Sequence, residues 1–365
     1  MLSLPGTREP RLRPLSPDLC AWTEAVMESV RPDRLRATVE SLPAPRNRLH
    51  APEAMARADT LILQALADAG WQTERRPFTL TNAAGCLDYV PENGVAAGGR
   101  GRDTIYPRLD GVNLLGIKPG ENSTDAIVIG AHHDTVRDSP GADDNTASVA
   151  ALLELARALS PFRFRDTILL AVFDMEELCL LGSPALIEDL RRERRITGAL
   201  VYETMCYTDT TPNSQRVPPG IDLLFPGQIA RLRRRGLPGD WTVVIYRRDS
   251  AKLARTLGEG LAHLAGAHVP VLMRDPTDLA LVGGLLRRRV PAARHFSRSD
   301  HASFWRAGIP AIMIGDTADL RNPHYHQPTD TPDTLDYERL AAIVGATATV
   351  IARHAGLRFE KNSGG

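Results

Sequence analysis

Residues 126–159 constrain the fold of this chain more than any other stretch. An apolar run, AIVIGA, leads into the polar residues His132, His133 and Asp134, and after a Pro-Gly turn the letters GADDN precede a helical apolar pattern. The run predicts a buried strand and the later spacing predicts a helix. Ligands of open α/β sheets bind beside the carboxyl ends of strands. Imidazoles at a strand end and carboxylates at a helix start therefore predict a metal site.

Apolar runs alternate with helical patterns along the rest of the chain. Helical spacing extends over 21–42 and 52–69. Beyond the central stretch, strands are predicted at 167–173, 198–202 and 311–314, and helices at 183–195, 252–266 and 337–354. This alternation predicts an α/β fold with three layers, α/β/α, in which helices cover both faces of a central mixed, mostly parallel sheet.

One large domain over residues 20–358 is the predicted organisation. Residues 1–19 are rich in Pro and Arg and predict an N-terminal arm, and residues 359–365 predict a flexible C-terminal tail. Residues 208–239 are rich in Pro, Gly, Asn and Arg. A segment of that length and composition predicts a lid-like loop over the mouth of the site.

Composition argues against some classes of partner. Its 44 Lys and Arg residues balance 44 Asp and Glu residues, so we expect neither nucleic acid nor an anionic membrane surface as the main partner. No segment has the apolar length of a membrane span, and the first residues lack the apolar core of a secretory signal. We therefore expect a cytoplasmic protein; the sequence does not predict an oligomeric state. Four widely spaced cysteines without a CxxC pair predict reduced thiols.

Five residues at predicted strand ends, at a helix start and in a late loop carry the metal hypothesis. They are His132, Asp144, Glu177, Glu203 and His326. Two imidazoles and three carboxylates suit a pair of zinc ions, with one carboxylate bridging and open positions for water and substrate. Each residue alone is more often structural, so the prediction depends on the set.

Over about residues 110–355, the sequence resembles metallopeptidase family twenty-eight. This family comprises the di-zinc aminopeptidases related to glutaminyl cyclases and to the transferrin receptor ectodomain. The motifs that carry the resemblance are HHD at 132–134, PGADD at 140–144, EE at 176–177 within MEELCLLGS, and YH at 325–326. Together, in this order and at these spacings, they are highly specific.

The resemblance implies two zinc ions per chain and assigns the metal ligands. Asp144 would bridge the two ions. His132 and Glu203 would complete the site of one ion, and Glu177 and His326 would complete the site of the other.

The resemblance also assigns supporting roles to three residues. Asp134 would accept a hydrogen bond from His132 and fix its tautomer. Glu176 would act as general base for a metal-activated water and then as acid for the leaving amine. Tyr325 would donate to the tetrahedral oxyanion. Because the peptide after the bridging Asp is cis in relatives, we expect a cis bond after Asp144.

Other polar residues near the motifs receive structural interpretations. We expect His133 to point away from the metals and Asp143 to bond loop backbone. Consecutive residues cannot form a nucleophilic triad among themselves, so we interpret the SDH sequence as pocket wall or as support for the ligands; its members are Ser299, Asp300 and His301.

Four further residues near the motifs bear on the metal site or on the choice of substrate. Glu203 stands where many relatives have Asp, and it remains a competent oxygen ligand. Cys179 and Cys206 lie near predicted ligands. Either could serve as a third zinc ligand or as a redox sensor, although we favour the interpretation that both are small buried thiols that fill space. Arg298 precedes SDH, and its guanidinium suits a substrate carboxylate.

We therefore predict a di-zinc metallohydrolase that cleaves amide bonds of small peptides or amino-acid derivatives, in the first instance an aminopeptidase. One alternative is a glutaminyl-cyclase-like transferase with one zinc ion. Another is a specialised biosynthetic amidohydrolase or carboxypeptidase, and a third is a binding module that resembles the receptor ectodomains. Tyr325 and the intact GADDN sequence favour hydrolysis.

Overall fold

A central sheet of eight strands runs through the structure, a computed structural model that describes residues 8–86, 104–279, 283–284 and 290–358. The predicted tail at 359–365 and the first seven residues of the predicted arm lie outside the described residues. The strands are, in chain order, β1 (Gln72–Gly85), β2 (Thr104–Lys118), β3 (Asn122–His132), β4 (Arg163–Phe164), β5 (Asp166–Phe173), β6 (Arg195–Glu203), β7 (Thr242–Tyr246), β8 (Pro270–Arg274), β9 (Ala311–Gly315) and β10 (Leu357–Arg358).

The described strands of the large sheet follow the order β1-β2-β5-β3-β6-β9-β7-β8, while β4 and β10 form a separate pair. β3 runs parallel to β5 and β6, β6 to β9, and β7 to β8. The contacts of β1 with β2, β2 with β5 and β7 with β9 are antiparallel. The parallel strands at the centre therefore end at the same edge of the sheet.

Helices cover both faces of this sheet. They are α1 (Pro17–Met27), α2 (Pro32–Ser41), α3 (Pro52–Asp68), α4 (Ala147–Leu159), α5 (Gly182–Glu193), α6 (Ile221–Leu224), α7 (Pro226–Arg234), α8 (Ala251–Ala265), α9 (His301–Arg306) and α10 (Tyr337–Ile351). Along β3, Ile127 and Ile129 pack into one apolar core and Val128 packs into a second core. The first core contains residues of α1–α4, α8 and α10, and the second contains residues of α5–α7 and α9. The predicted three-layer α/β/α fold is confirmed.

Pro32 divides the segment in which the sequence indicated helical spacing from 21 to 42. α1 ends at Met27 and α2 starts at Pro32. Arg31 has an extended backbone, with φ −124° and ψ 113°. A proline lacks the amide donor and disfavours helical backbone in the preceding residue. The chain therefore turns here, and two short helices pack separately on the core.

The described part of the N-terminal arm lies against the domain. The Glu9 carboxylate accepts hydrogen bonds from the Arg231 guanidinium at 3.0 Å and from the Leu272 amide at 2.9 Å. The Arg13 amide donates to Glu259 at 3.3 Å. The lid-like segment at 208–239 contains α6 and α7, so it is partly helical.

Two of the four cysteines form a disulfide, so the prediction of reduced thiols is wrong for this pair. Cys86 and Cys179 are bonded, with their Cα atoms 5.5 Å apart. A separation of 93 residues gave no sequence signal for the pair, because β1 and the turn after β5 meet only in the folded chain. Cys20 and Cys206 are free. None of the helices that the structure describes combines the length and apolarity needed to span a bilayer.

Candidate metal centre

Most of the predicted site residues lie at one edge of the sheet, at or just after the ends of adjacent central strands. His132 is the last residue of β3, and Glu203 is the last residue of β6. Glu176 and Glu177 follow the end of β5, which pairs with β3. Because these strands run parallel, their carboxyl ends place the four side chains together.

Asp144 reaches the same place from a turn, Ala142–Thr146, that leads into α4. Gly141 precedes the turn with φ 63°, and a Cβ atom there would lie 2.4 Å from the Asp144 carbonyl oxygen. A glycine is therefore required for this approach. The peptide bond between Asp144 and Asn145 is cis, as expected.

The two carboxylate oxygens of Asp144 face different imidazoles. Asp144 Oδ1 lies 3.2 Å from His132 Nε2, and Asp144 Oδ2 lies 2.9 Å from His326 Nε2. Glu203 Oε2 is 3.6 Å from His132 Nε2, and Glu177 Oε1 is 3.3 Å from His326 Nε2. The five residues thus form two groups that share Asp144.

Buried atoms without hydrogen bonds test whether this cluster fits metal ions. Among the described residues, His132 Nε2, Asp144 Oδ1 and Glu177 Oε1 are buried and have no hydrogen-bond partner. Leaving such atoms unsatisfied is costly, and a bound cation would satisfy them. Nitrogen and carboxylate oxygen are donors that zinc accepts. The residues present therefore fit a pair of divalent ions.

The charges of the cluster lead to the same conclusion. Burial lowers the pKa of His326, but the Glu177 and Asp144 carboxylates outweigh it and raise the pKa to about 10. Burial raises the pKa of Glu203 to about 8, and the Asp144 carboxylate adds to this effect. The rise at His326 comes from the crowded acidic groups around it, whereas the rise at Glu203 comes first from burial and second from that crowding. Divalent cations would relieve that crowding.

Asp134 holds the turn that carries the two glutamates. Its carboxylate accepts hydrogen bonds from the backbone amides of Glu176 and Glu177, each at 3.1 Å. Asp134 Oδ1 also lies 3.4 Å from His132 Nδ1. One buried carboxylate therefore connects the end of β3 to the turn after β5. Glu176 Oε2 lies 4.0 Å from His132 Nε2, inside the cluster.

Sequence reasoning missed Asp330 and Asn145. The Asp330 carboxylate accepts hydrogen bonds from the amides of Asp143 and Asp144, at 2.9 and 3.2 Å. The Asn145 side chain donates to the Tyr202 carbonyl at 3.0 Å and accepts from the Thr204 amide at 3.3 Å. The GADDN motif itself contains Asn145, but nothing local marks Asp330, which lies 186 residues from Asp144.

His133 and Asp143, which flank the cluster in sequence, contact other groups. His133 Nε2 lies 2.9 Å from Asp59 Oδ1, and its Nδ1 lies 2.7 Å from the Phe173 carbonyl oxygen. Asp143 accepts hydrogen bonds from the Cys206 amide and the Asn322 side chain, each at 2.9 Å. Neither residue belongs to any of the candidate metal-binding groups among the described residues.

The two cysteines near the predicted ligands differ in chemistry. Cys179 is bonded to Cys86, so it offers no thiolate to a metal. Cys206 is buried, and its thiol donates to the Asp336 carbonyl at 3.3 Å. Within the described part of the chain, Cys206 belongs to none of the candidate metal-binding groups.

The SDH sequence lies beside the cluster. Ser299 Oγ donates a hydrogen bond of 2.7 Å to Glu203 Oε2 and thereby orients that carboxylate. Asp300 is fully buried, and burial raises its pKa to about 7. His301 is also fully buried, with its ring edge-on to Trp305 at a centroid distance of 4.5 Å.

His301 leads to a prediction on acid stability. Burial lowers the pKa of His301 to about 4, against about 6.5 for an unfolded chain. As pH falls from about 6.5 to 4, the unfolded chain binds a proton that the folded chain cannot, so this residue subtracts about 1.4 kcal/mol of stability per pH unit. Above this window it has no effect. Urea unfolding between pH 7 and 4 should show a shallower decline for His301→Gln than for wild type, and parallel curves would contradict the prediction.

An apolar cavity opens beside the cluster. Glu203, Tyr325 and Arg298 line it on the metal side, and its other walls include Val217, Ile229, Leu232, Trp241, Ile245 and Met313. Arg298 donates to Asp319 Oδ1 at 2.7 Å, so an ion pair holds its guanidinium. The Tyr325 ring stacks on the His326 ring, with centroids 3.9 Å apart.

Similar sequences and structures agree with this architecture. The sequence profile of Peptidase family M28 matches residues 113–225 and 283–351. The Escherichia coli (strain K12) protein YfbL is 28% identical over 291 residues, which cover 76% of this chain and 82% of YfbL. The probable lipoprotein aminopeptidase LpqL of Mycobacterium tuberculosis (strain ATCC 25618 / H37Rv) is 28% identical over 262 residues, which cover 67% of this chain but 45% of LpqL.

Solved structures share the fold at low sequence identity. An aminopeptidase from Aneurinibacillus sp. strain AM-1 superposes with a TM-score of 0.61 and 16% identity, covering 91% of this chain and 96% of that chain. A Fimbriiglobus ruber glutaminyl cyclase gives 0.57 and 16%, covering 88% and 95%. The Bacillus subtilis zinc aminopeptidase BSAP gives 0.61 and 15%, covering 91% and 96%. The solved structures show the fold, and the profile match, supported by the aminopeptidase relatives, shows that the chain belongs to peptidase family M28.

Proposed function

We propose that this protein is a zinc-dependent exopeptidase, an aminopeptidase that removes the first residue from small peptides or amino-acid amides. The observation that carries the proposal is the placement of Asp144 between two imidazoles, with one carboxylate oxygen toward each. A carboxylate in that position suits two ions that share it. Membership of a peptidase family and the zinc aminopeptidase among the structural neighbours support the same chemistry.

Each proposed ion has its own pair of terminal ligands. His132 and Glu203 would hold one ion, and Glu177 and His326 would hold the other, with Asp144 common to both. Bound there, zinc would polarise the substrate carbonyl and lower the pKa of a water molecule. The four carboxylates within the cluster, those of Asp144, Glu176, Glu177 and Glu203, match the formal charge of two divalent ions.

The protein side chains would carry the proton transfers. Glu176 would accept a proton from the attacking water at its carboxylate and return it to the leaving amine. Asp134 fixes the Glu176 amide and thus the position of that carboxylate. Tyr325 and Glu203 both line the cavity, and the Tyr325 hydroxyl would donate to the oxyanion of the tetrahedral intermediate.

The apolar cavity would receive the side chain of the first substrate residue. Apolar walls such as those of Ile229, Trp241 and Met313 predominate, and they favour a large aliphatic or aromatic group over a small or charged one. We therefore expect Leu, Met and Phe derivatives to be better substrates than Ala, Glu or Lys derivatives. A contact between Arg298 and a substrate carboxylate stays a prediction, which unchanged binding by Arg298→Ala would remove.

Val217 offers a test of that cavity. It is half-buried in the lid-like segment, so a larger side chain at this position would fill the cavity without disturbing the sheet. We expect Val217→Phe to lower kcat/KM for a Phe p-nitroanilide by about 10-fold to 200-fold. The value for the Ala p-nitroanilide should stay within about threefold, because its methyl group needs little of the cavity. An equal loss on both substrates would place the specificity determinant elsewhere.

The function itself is tested with protein purified without added metal. We expect two zinc ions per chain at the Asp144 cluster, hydrolysis of Leu p-nitroanilide, and no hydrolysis of its N-acetyl derivative, because an aminopeptidase requires a free amine. Release of the last residue from N-acetylated peptides would instead indicate a carboxypeptidase. One zinc ion, with cyclisation of N-terminal Gln peptides and no hydrolysis, would indicate a glutaminyl-cyclase-like transferase.

A cytoplasmic location remains a prediction. The Cys86–Cys179 disulfide would have to persist there against a reducing thiol pool. The peptide substrate class likewise remains a proposal, and the alignment with LpqL covers 45% of that relative.

A further inference from the structure

A second cluster of metal-ligating side chains is formed by residues of α1 and α8. Cys20 and Glu24 are four residues apart on α1, so they share one face of the helix, and His263 reaches them from α8. Cys20 Sγ lies 3.3 Å from His263 Nε2 and 3.3 Å from Glu24 Oε1. His263 Nε2 lies 3.2 Å from Glu24 Oε1. The three donor atoms thus form a nearly equilateral triangle.

The size of this triangle is close to that of three ligands in a tetrahedral zinc site. Zinc bonds of about 2.3 Å to sulfur and about 2.0–2.2 Å to nitrogen and oxygen separate tetrahedral ligand atoms by roughly 3.4–3.6 Å. The observed separations of 3.2–3.3 Å need to widen only by tenths of an ångström. Side-chain rotation alone supplies that change, since Glu24 and His263 are partly exposed.

The chemistry of the three donors is balanced for a divalent ion. A Cys20 thiolate and a Glu24 carboxylate carry two negative charges, and a neutral His263 imidazole adds none. The two other carboxylates that line this surface, Glu9 and Glu259, already pair with Arg231 and Arg353, at 3.0 and 3.1 Å. The open fourth position therefore faces solvent and suits a water molecule.

We propose that Cys20, Glu24 and His263 form a mononuclear site for zinc or a similar thiophilic divalent ion, separate from the Asp144 cluster. The thiolate and imidazole select such an ion over calcium and magnesium, which prefer oxygen. By binding both helices, the ion would fasten α1 to α8 and stabilise the N-terminal part of the domain. The site is built from two elements that carry none of the proposed hydrolytic ligands.

Without metal, the three groups form a weaker arrangement. Partial desolvation and the Glu24 carboxylate raise the pKa of the Cys20 thiol, so the thiol is protonated in the metal-free protein. Metal binding then releases that proton, and affinity rises with pH. Hydrogen bonds among solvent-exposed groups contribute little to stability. A measurable effect of Cys20 on stability should therefore depend on metal.

The test is a cobalt titration of metal-stripped full-length protein. Thiolate ligation of Co²⁺ produces a charge-transfer absorption band, which sites made only of nitrogen and oxygen ligands cannot give. The proposed hydrolytic ligands include no thiolate, so the band reports on this site alone. We expect it to reach full height at one equivalent of bound Co²⁺ in an Asp144→Asn background, in which the hydrolytic site is impaired.

Three variants decide the outcome. Cys20→Ser should abolish the band, His263→Gln should weaken it, and Cys206→Ser, which changes the other free cysteine, should retain it. In the Asp144→Asn background, zinc should raise the melting temperature of the chain with Cys20 but not that of the chain with Cys20→Ser. Hydrolysis by Cys20→Ser alone should stay at the wild-type level. Absence of the band in wild type, or its persistence in Cys20→Ser, would overturn the proposal whether or not the protein is an aminopeptidase.

Discussion

Replacing Glu176 by Gln is expected to lower kcat for Leu p-nitroanilide by about 10³-fold to 10⁴-fold, the upper range for loss of a general base. Glu176 is almost fully buried, and its Oε2 lies 4.0 Å from His132 Nε2. The amide of Gln has the same shape as the carboxylate but cannot accept a proton from water. The main-chain hydrogen bond from residue 176 to Asp134 does not depend on the side chain, so the turn should keep its place.

The matched control is Glu177→Gln, the same change one residue later. Glu177 Oε1 lies 3.3 Å from His326 Nε2 and is a proposed ligand. We expect Glu177→Gln to lower the zinc content, whereas Glu176→Gln should retain the wild-type content and KM. Metal analysis and steady-state kinetics on the same preparations separate the two effects. Turnover by Glu176→Gln within about tenfold of wild type would remove Glu176 as the base.

The part of this site that could be predicted from sequence is the part encoded locally. His132 follows an apolar run, and a strand buried on both faces ends where that run ends. Glu203 stands in the same relation to β6. Since parallel strands end at one edge, a pattern read one strand at a time was enough to predict that these side chains meet.

The residues that were missed depend on contacts between distant parts of the chain. Asp330 lies in a loop after β9, and the two amides that it accepts from belong to the turn before α4. The Cys86–Cys179 pair joins the end of β1 to the turn after β5. Neither position has a periodic pattern around it, because loop geometry, rather than strand or helix spacing, brings the partners together.

The two hydrogen bonds that the Asp330 carboxylate accepts explain how a turn with two adjacent acids keeps only one of them in the cluster. With the amides of Asp143 and Asp144 both directed at Asp330, the two side chains project to different sides. Asp143 meets the Cys206 amide and the Asn322 side chain, and Asp144 meets the imidazoles. One acid therefore supports the loops and the other is available to metal.

Asp144→Asn should consequently have the largest effect on metal binding of any single ligand change. In the wild type, the two Asp144 oxygens lie 3.2 Å from His132 Nε2 and 2.9 Å from His326 Nε2. The Asn side chain keeps one oxygen, but its NH₂ group would face the other imidazole nitrogen. The bridge would be lost together with its negative charge, so both ions should bind at least about 100-fold more weakly. Equilibrium dialysis in a Cys20→Ser background, which removes the second proposed zinc site, should then find less than one zinc ion per chain at concentrations that saturate the cluster with Asp144 intact.

Asp143→Asn is the control that distinguishes an effect of the Asp144 carboxylate from an effect of the turn that carries it. The same change one residue earlier keeps an acceptor for the Cys206 amide and gives up only the bond from the Asn322 side chain, which lies outside the candidate metal-binding groups. Asp143→Asn should therefore keep both ions. Since the two variants differ only in which side of the turn is altered, equal metal loss would mean that the turn, and not the Asp144 carboxylate, sets the affinity. Loss confined to Asp144→Asn would identify that carboxylate as the shared ligand.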